Sequence, residues 1–385
     1  MFKNNFFKSG FTIVELIVAI VIIGILATVI AVSQAGVIQK ATVASVQSDL
    51  TNNKNMLSLY YVENGVYPTT FDANNCPSAP VASENYCLKL SNGNTIDSYI
   101  AVLDDYDLVI SSGSTAYSVS QATAPTAKNN ISCPSGYIVV PGSHTYGTSD
   151  FCVMKYEAKN VGGVATSQAA GVPWVSISQN DSNTVSTAAC SGCHLITESE
   201  WMTIAQNVLS VASNWSNDVV GSGYIYSGHN DNMPTGGLEA DVNDANGYYG
   251  ETNAGGNQRR TLSLTNGEVI WDFAGNVWDY TQGQAAGGQP GIVGGAWAWR
   301  DWLNVTAMGS LAVNIFPAGT GLSGSSNWNI NNGIGQIYTS SDDATLRPVM
   351  RDGCFDNANN AGVLSFYTYS TPTSATVKRG FRVAK

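Results

Sequence analysis

The chain has 385 residues, more than one ordinary domain uses, so two folded parts are expected. Only 12% of its residues are charged and the net charge is −11, which argues against nucleic acid as a partner and lends no support to binding at an anionic membrane surface. Abundant Asn, Ser and Thr with 39 Gly, 18 Tyr and 9 Trp give the polar, weakly ionic surface of an exported protein, where 7 Cys imply disulfides with one thiol left over.

The first element is the stretch Phe11 to Val32, apolar or small except at Thr12, Glu15 and Thr28. About 20 such residues match the hydrocarbon thickness of a bilayer. Lys3 and Lys8 precede it, as expected of a cytoplasmic N-terminus. Glu15 is the anomaly, because a carboxylate inside a membrane helix costs about 2.5–3.5 kcal/mol and calls for a partner. The run Gly10-Phe11-Thr12-Ile13-Val14-Glu15 resembles the start of type IV prepilins and pseudopilins. That resemblance implies a leader over 1–10, cleavage by a prepilin peptidase after Gly10, methylation of Phe11, and pairing of Glu15 with the terminal amine of a neighbouring pilin subunit. The alternative is a signal peptide or simple anchor, but a signal peptide would have a shorter core followed by a small-residue cleavage site.

No Pro occurs before Pro68, so one helix is expected over 11–63, roughly 80 Å long. Its first half would be a transmembrane helix before assembly and part of the filament core after it. Its second half is amphipathic, with Val43, Val46, Leu50, Leu57 and Tyr60 at helical spacing. Gly65 and Pro68 end it in a segment that again resembles pilins. Cys76 and Cys87 flank a Pro-rich loop and read as a disulfide. Residues 98–103, 106–112 and 116–120 read as a small antiparallel meander, completing a pilin-like domain over 11–120. The polar stretch 121–130 reads as a linker.

Residues 131–385 are rich in Gly, Trp and Asn, with short apolar runs. One helix is expected over Thr197 to Ala212, with Thr197 and Glu200 as a capping box. Short strands and long loops are expected elsewhere, so the whole is α+β. Cys133 and Cys152 bracket a hairpin-like stretch and read as a disulfide. Cys190-Ser-Gly-Cys193-His194 has the spacing of a local disulfide, a zinc half-site or a redox site, and the disulfide is preferred.

Five segments occur in a telling order: Leu195–Trp201, Val269–Tyr280, Val293–Trp297, Arg351–Phe355 and Gly380–Val383. Together they resemble the formylglycine-generating-enzyme (sulfatase-modifying factor) family, whose fold is a variant of the C-type lectin fold. The family's enzymes need two Cys for copper, and the matching stretch holds Cys354 alone, so no catalytic residues are assigned and an enzyme is not expected. The family's calcium segment matches Trp271–Asp279, which implies a Ca2+ site from the carboxylates of Asp272 and Asp279 and the carbonyls of Gly275 and Val277. The alternative is a turn whose Asp residues cap amides. A second acidic loop, Glu239 to Gly247, is an ion candidate or a solvated loop.

The final segment also resembles the variable region of proteins diversified by retroelements, which present mutable side chains on one face of this fold. That implies ligand contacts from Phe355, Asn357, Ser365, Tyr367, Tyr369, Ser370 and Thr376, joined by Trp299, Arg300 and Trp302, with Trp297 and Phe366 in the core. Tyr suits such a role, offering large area at low entropy cost. The reading is a minor or tip type IV pilus subunit. It would pass from the cell membrane to an extracellular pilus by way of the assembly machinery, and display a non-catalytic adhesion head for an extracellular or cell-surface ligand. The alternatives are a pseudopilin of a secretion system and an enzyme of the sulfatase-modifying type.

Overall fold

The computed structural model describes residues 40–385 except 103–104, 114, 129–130, 144, 245, 249–257, 287–294, 305–328, 341–342 and 344. Gly10, Phe11, Glu15 and the apolar stretch to Val32 lie outside the described residues, as does His144. Among the described residues, no helix is long and apolar enough to cross a membrane.

The amphipathic helix runs over 40–64 and buries Val46, Leu50, Leu57 and Tyr60 on one face. It stops at Gly65, whose φ of 73° is the left-handed cap glycine tolerates, with its N–H donating to Tyr61 O at 2.7 Å. The buried stripe joins Tyr67, Leu88, Tyr106, Leu108, Ile110 and Val119 in one core. The sheet beside it is an antiparallel series, Thr95–Val102, Asp105–Ser112, Thr115–Val119 and Thr126–Lys128. The fourth strand corrects the reading of 121–130 as linker throughout. Ala116, Tyr117 and Ser118 pair with Lys128, Ala127 and Thr126, so backbone hydrogen bonds order a stretch whose side chains carry no apolar pattern.

Two polar residues on the buried face hold the connecting loop. Asp49 accepts from Ser91 N, Ser91 Oγ and Asn94 Nδ2, each at 2.7 Å. Asn53 donates to Lys89 O at 3.0 Å and accepts from Lys89 N at 2.8 Å. Cys76 and Cys87 are bonded and close the loop between helix and sheet.

The second part begins and ends in the same sheet. Its order is His194–Leu195, Val383–Ala384, Phe151–Met154, Tyr137–Val140, so the last strand lies between early ones. Cys152 and Lys385 exchange two backbone hydrogen bonds of 2.8 Å, and Cys152 is bonded to Cys133. A six-stranded sheet follows, in the order Ala298–Arg300, Ile337–Thr339, Phe366–Tyr367, Leu346–Arg351, Trp278–Ala286, Arg379–Phe381. The architecture is α+β, several small sheets with few helices.

The helix Glu198–Leu209 forms with Thr197 as N-cap and the capping box closed by Glu200. Trp201, Ile204, Ala205 and Val208 are fully buried in the larger core. A second helix, Gln179–Ala189, stands where only strands and loops are expected. Its sequence is polar and lacks an apolar stripe, and Ser178 caps it by accepting from Asp181 N. Gln179 Nε2 then donates to Thr281 O and Gly283 O at 2.7 and 2.9 Å, so tertiary hydrogen bonds supply what periodicity does not show.

Leu50→Ala removes a fully buried side chain from the helix–sheet core. It is expected to lower stability by about 2–5 kcal/mol. Denaturant unfolding of the full-length protein in detergent, followed at the Tyr signal, measures this.

Candidate ligand-binding surface

The register of the six-stranded sheet lines up one row of side chains. Trp299 pairs with Tyr338, Tyr338 with Tyr367, Tyr367 with Met350, Met350 with Tyr280, and Tyr280 with Phe381. Paired residues share a face, so the row runs continuously across six strands. Its inner end, Met350, Tyr280 and Phe381, is fully buried, while Trp299, Tyr338 and Tyr367 are half-buried. The outer end is a platform of rings.

Tyr338 stacks on Tyr367, with centroids 4.9 Å apart and planes at 13°. Trp299 lies 5.1 Å from Tyr338 and 6.0 Å from Tyr367. Trp278, almost fully buried, sits 6.2 Å from Trp299 and 5.1 Å from Tyr367. Trp297 stacks on Tyr338 at 5.8 Å and meets Tyr369 edge-on at 5.1 Å. Arg347 lies 5.3 Å over Trp297 and 5.7 Å over Tyr369, held by the carboxylate of Asp343. Each ring pair adds about 0.5–1.5 kcal/mol beyond its buried area, so the platform is rigid before any ligand arrives. Burial pushes the Tyr367 hydroxyl up to about 12, which keeps it a donor at neutral pH. Tyr369 is the most open ring, 49% exposed.

Other expected contact residues are placed differently. Phe355 is buried, stacked 6.1 Å from His229, with its backbone hydrogen-bonded to Asn276 and Asn232. Ser365 is buried and donates to Asn360 O. Ser370 is buried because its hydroxyl takes Arg379 Nη1 at 2.6 Å. The two Ser are held inward because their hydroxyls satisfy hydrogen bonds within the fold, and Phe355 because its apolar ring packs in a buried cluster. Trp302 is also fully buried, and Arg300 lies on the other face of its strand from Trp299. Asn357 and Thr376 are half-buried, with Asn357 Oδ1 accepting from Cys354 N at 2.8 Å. Phe366 is in the core, but Trp297 belongs to the platform. Tyr338 and Arg347 are the members that sequence reasoning missed. Tyr338 occupies a strand of three residues, too short for alternation to register.

The expected calcium ligands are not free to converge. Arg260 Nε and Nη2 each bind an oxygen of Asp272 at 2.7 Å, and Arg382 Nε reaches Asp279 Oδ2 at 3.2 Å. Arg260 occupies both oxygens of Asp272, so the set Asp272, Gly275, Val277, Asp279 as a whole does not fit the metal, whereas Arg382 takes one oxygen of Asp279 and leaves Oδ1 without a hydrogen-bond partner. Asp279 belongs instead to a group with Glu157 and Asp352. Burial pushes Asp279 up to about 6, and burial with these neighbours raises Glu157 and Asp352 well above the carboxylate range.

Cys190 and Cys193 are bonded to each other at the end of the second helix. His194 Nε2 donates to the Glu200 carboxylate at 2.8 Å, and Glu200 also serves the capping box. Cys354 is buried, 3.1 Å from Asp356 Oδ1 and Asn357 Oδ1, and burial raises its thiol far above the reactive range. His229 is fully buried and hydrogen-bonded to Gly236 O at 3.0 Å.

Residues 6–31 match the family model described as the prokaryotic N-terminal methylation motif. The chain is 41% identical over 63 residues to the type II secretion system core protein G of Aeromonas hydrophila, a match covering 16% of this chain and 44% of that protein. It is 37% identical over 83 residues to the core protein G of Klebsiella pneumoniae, covering 20% of this chain and 59% of that one. The chain thus spans about half the length of the curated relatives it matches. The N-terminal part is therefore type IV pilin-like. Among solved structures, the major tropism determinant U1 variant aligns over 74% of this chain and 63% of its own, at 14% identity and a TM-score of 0.31.

The His194–Glu200 pair predicts a pH dependence. The hydrogen bond with Glu200 raises His194, so its contribution is full below about pH 6.5 and is lost as pH rises through the raised folded value. Burial works to raise Glu200, but hydrogen bonds from His194 and Thr197 outweigh it, so its contribution is lost as pH falls through the lowered folded value. The difference in Tm between the wild type and His194→Gln should shrink between about pH 6 and pH 8. A difference that stays constant over that range would contradict the pairing.

Proposed function

We propose that the chain is a type IV pilin-like subunit that carries a non-catalytic, ligand-binding head. The observation that carries this reading is a pilin-like N-terminus in the same chain as a pre-stacked, half-exposed aromatic platform. A peptidase cuts between Gly10 and Phe11, and Glu15 neutralises the terminal amine of a neighbouring subunit in the filament core. Both charges are costly in an apolar core, so their pairing favours assembly over remaining apart. Partners are other pilin-like subunits, the prepilin peptidase and the assembly machinery. The protein moves from the membrane to the cell surface.

The head, over 131–385, is of the C-type-lectin-like, sulfatase-modifying-factor type, supported by the ordered segments ending in Gly-Phe-Arg-Val. Its ligand meets Trp299, Tyr338, Tyr367 and Tyr369, with Arg347 alongside. Flat rings with hydroxyl edges suit sugars and protein surfaces alike. The resemblance of the last segment to retroelement-diversified regions would make Tyr367 and Tyr369 variable. Sequencing the genomic neighbourhood would support this by finding a reverse transcriptase beside a near-copy of the segment. An enzyme of the sulfatase-modifying type is disfavoured by a single thiol, buried and raised.

A second reading is a pseudopilin of a secretion system, in which the platform contacts cargo or machinery. The similarity to type II secretion system core protein G favours it. Both readings use the same platform but differ in where the head ends up.

Tyr367→Ala and Trp299→Ala are each expected to weaken binding of the full-length protein to its target cells or glycans at least tenfold, about 1.4 kcal/mol or more. Glycan arrays and whole-cell binding read the effect, with Val161→Ala, at an exposed site on a separate strand pair, unchanged. Unaltered binding in both platform variants would remove the platform from the account.

A further inference from the structure

Three carboxylates meet inside the second part of the chain. Among the described residues, Glu157, Asp279 and Asp352 each place an oxygen within 4.8 Å of the other two, and all three are fully buried. Asp279 Oδ1 and Asp352 Oδ2 are buried and accept no hydrogen bond. The remaining oxygens have partners. Glu157 accepts from Asn276 Nδ2 at 2.5 Å and from Val277 N at 3.2 Å. Asp352 Oδ1 accepts from Asp279 N at 3.3 Å, and Asp279 Oδ2 takes Arg382 Nε at 3.2 Å.

Bare carboxylate oxygens in a dry interior are costly unless a cation or proton reaches them. The nearby charges do not balance. Glu157, Asp272, Asp279 and Asp352 are faced by Arg260, Arg382 and Lys159, four acids against three bases. Arg260 is taken up by Asp272, which leaves three acids with Arg382 and Lys159 alone. The spacing is informative. Oxygens on opposite sides of a calcium ion, at 2.3–2.6 Å each, stand about 5 Å apart, so three oxygens mutually within 4.8 Å fit around one such ion.

We propose that Glu157, Asp279 and Asp352 form an internal site for one calcium-sized divalent cation. Asp272, Gly275 and Val277 do not supply ligands to it. The ion ties together the segment after the strand Phe151–Met154, the start of the strand Trp278–Ala286, and the turn after Leu346–Arg351. This placement makes it a structural ion beneath the sheet that carries the aromatic platform, and it holds whether or not that platform binds a ligand.

The test uses full-length protein in detergent, stripped with EDTA and dialysed against calcium, magnesium or neither. Elemental analysis should find one calcium per chain, and saturating calcium should raise Tm by about 5 °C or more. Asp352→Asn should lose both effects, whereas Asp241→Asn, in the separate acidic loop, should keep them. If Asp352→Asn fails to fold, Glu157→Gln provides the same comparison. Wild-type protein that retains no calcium and shows no shift would overturn the proposal. So would an equal shift in Asp352→Asn. A wild type indifferent to metals, with Asp352→Asn more stable than it, would also overturn it and assign a shared proton to the cluster.

Discussion

The second part of the chain depends on one buried guanidinium. Arg382 is fully buried and directs its donors to Asp279 and to the carbonyls of Met154, Lys155, Trp271 and Asp272. A buried charge persists only when its donors are met, and here they are met by three separate stretches of sequence. The C-terminal strand is thereby locked between early strands, and the loop carrying Trp271 and Asp272 is fixed to it. Arg260 with Asp272 and Arg351 with Glu198 repeat the arrangement on either side. Such pairs contribute little net stability against an apolar core. They are costly to break, so they favour one arrangement of long, Gly-rich loops over many.

That arrangement places the platform. Strand register carries a single row of side chains from Phe381, fully buried, to Trp299, half-exposed. The inner half of the row is core, and the outer half is surface made rigid by the core. A ligand meeting Tyr367 and Trp299 need not order them first, which lowers the entropy cost of binding. Arg347 adds a cation over two rings and is itself restrained by Asp343.

Much of this was legible in the sequence where local chemistry dictates structure. The helix stripe of Val46, Leu50, Leu57 and Tyr60 follows from a 3.6-residue period. The cap at Thr197 follows from its spacing to Glu200. Other features were hidden because distant residues decide them. Nothing in the run around Asp272 announces that Arg260 will chelate it, and nothing near Asp279 announces Asp352. Gln179–Ala189 is helical through a cap and tertiary hydrogen bonds rather than a stripe. Ser365 and Ser370 look like surface residues by composition, yet Asn360 O and Arg379 claim their hydroxyls. The resemblance of the last segment pointed to Tyr367 and Tyr369, with alternation agreeing in part, but nothing pointed to Tyr338 in its three-residue strand.

One chain meets two physical demands: an apolar N-terminal stretch with one acid, and a ring platform in its later part. Each makes sense if the first is hidden in a fibre and the second is exposed on it. Immunogold labelling of cells with an antibody against the 131–385 part, combined with N-terminal mass spectrometry of sheared material, tests this most directly. The account predicts label along or at the tip of surface filaments and a mature chain beginning at methylated Phe11. Label confined to the cell envelope, on chains still intact between Gly10 and Phe11, would contradict it.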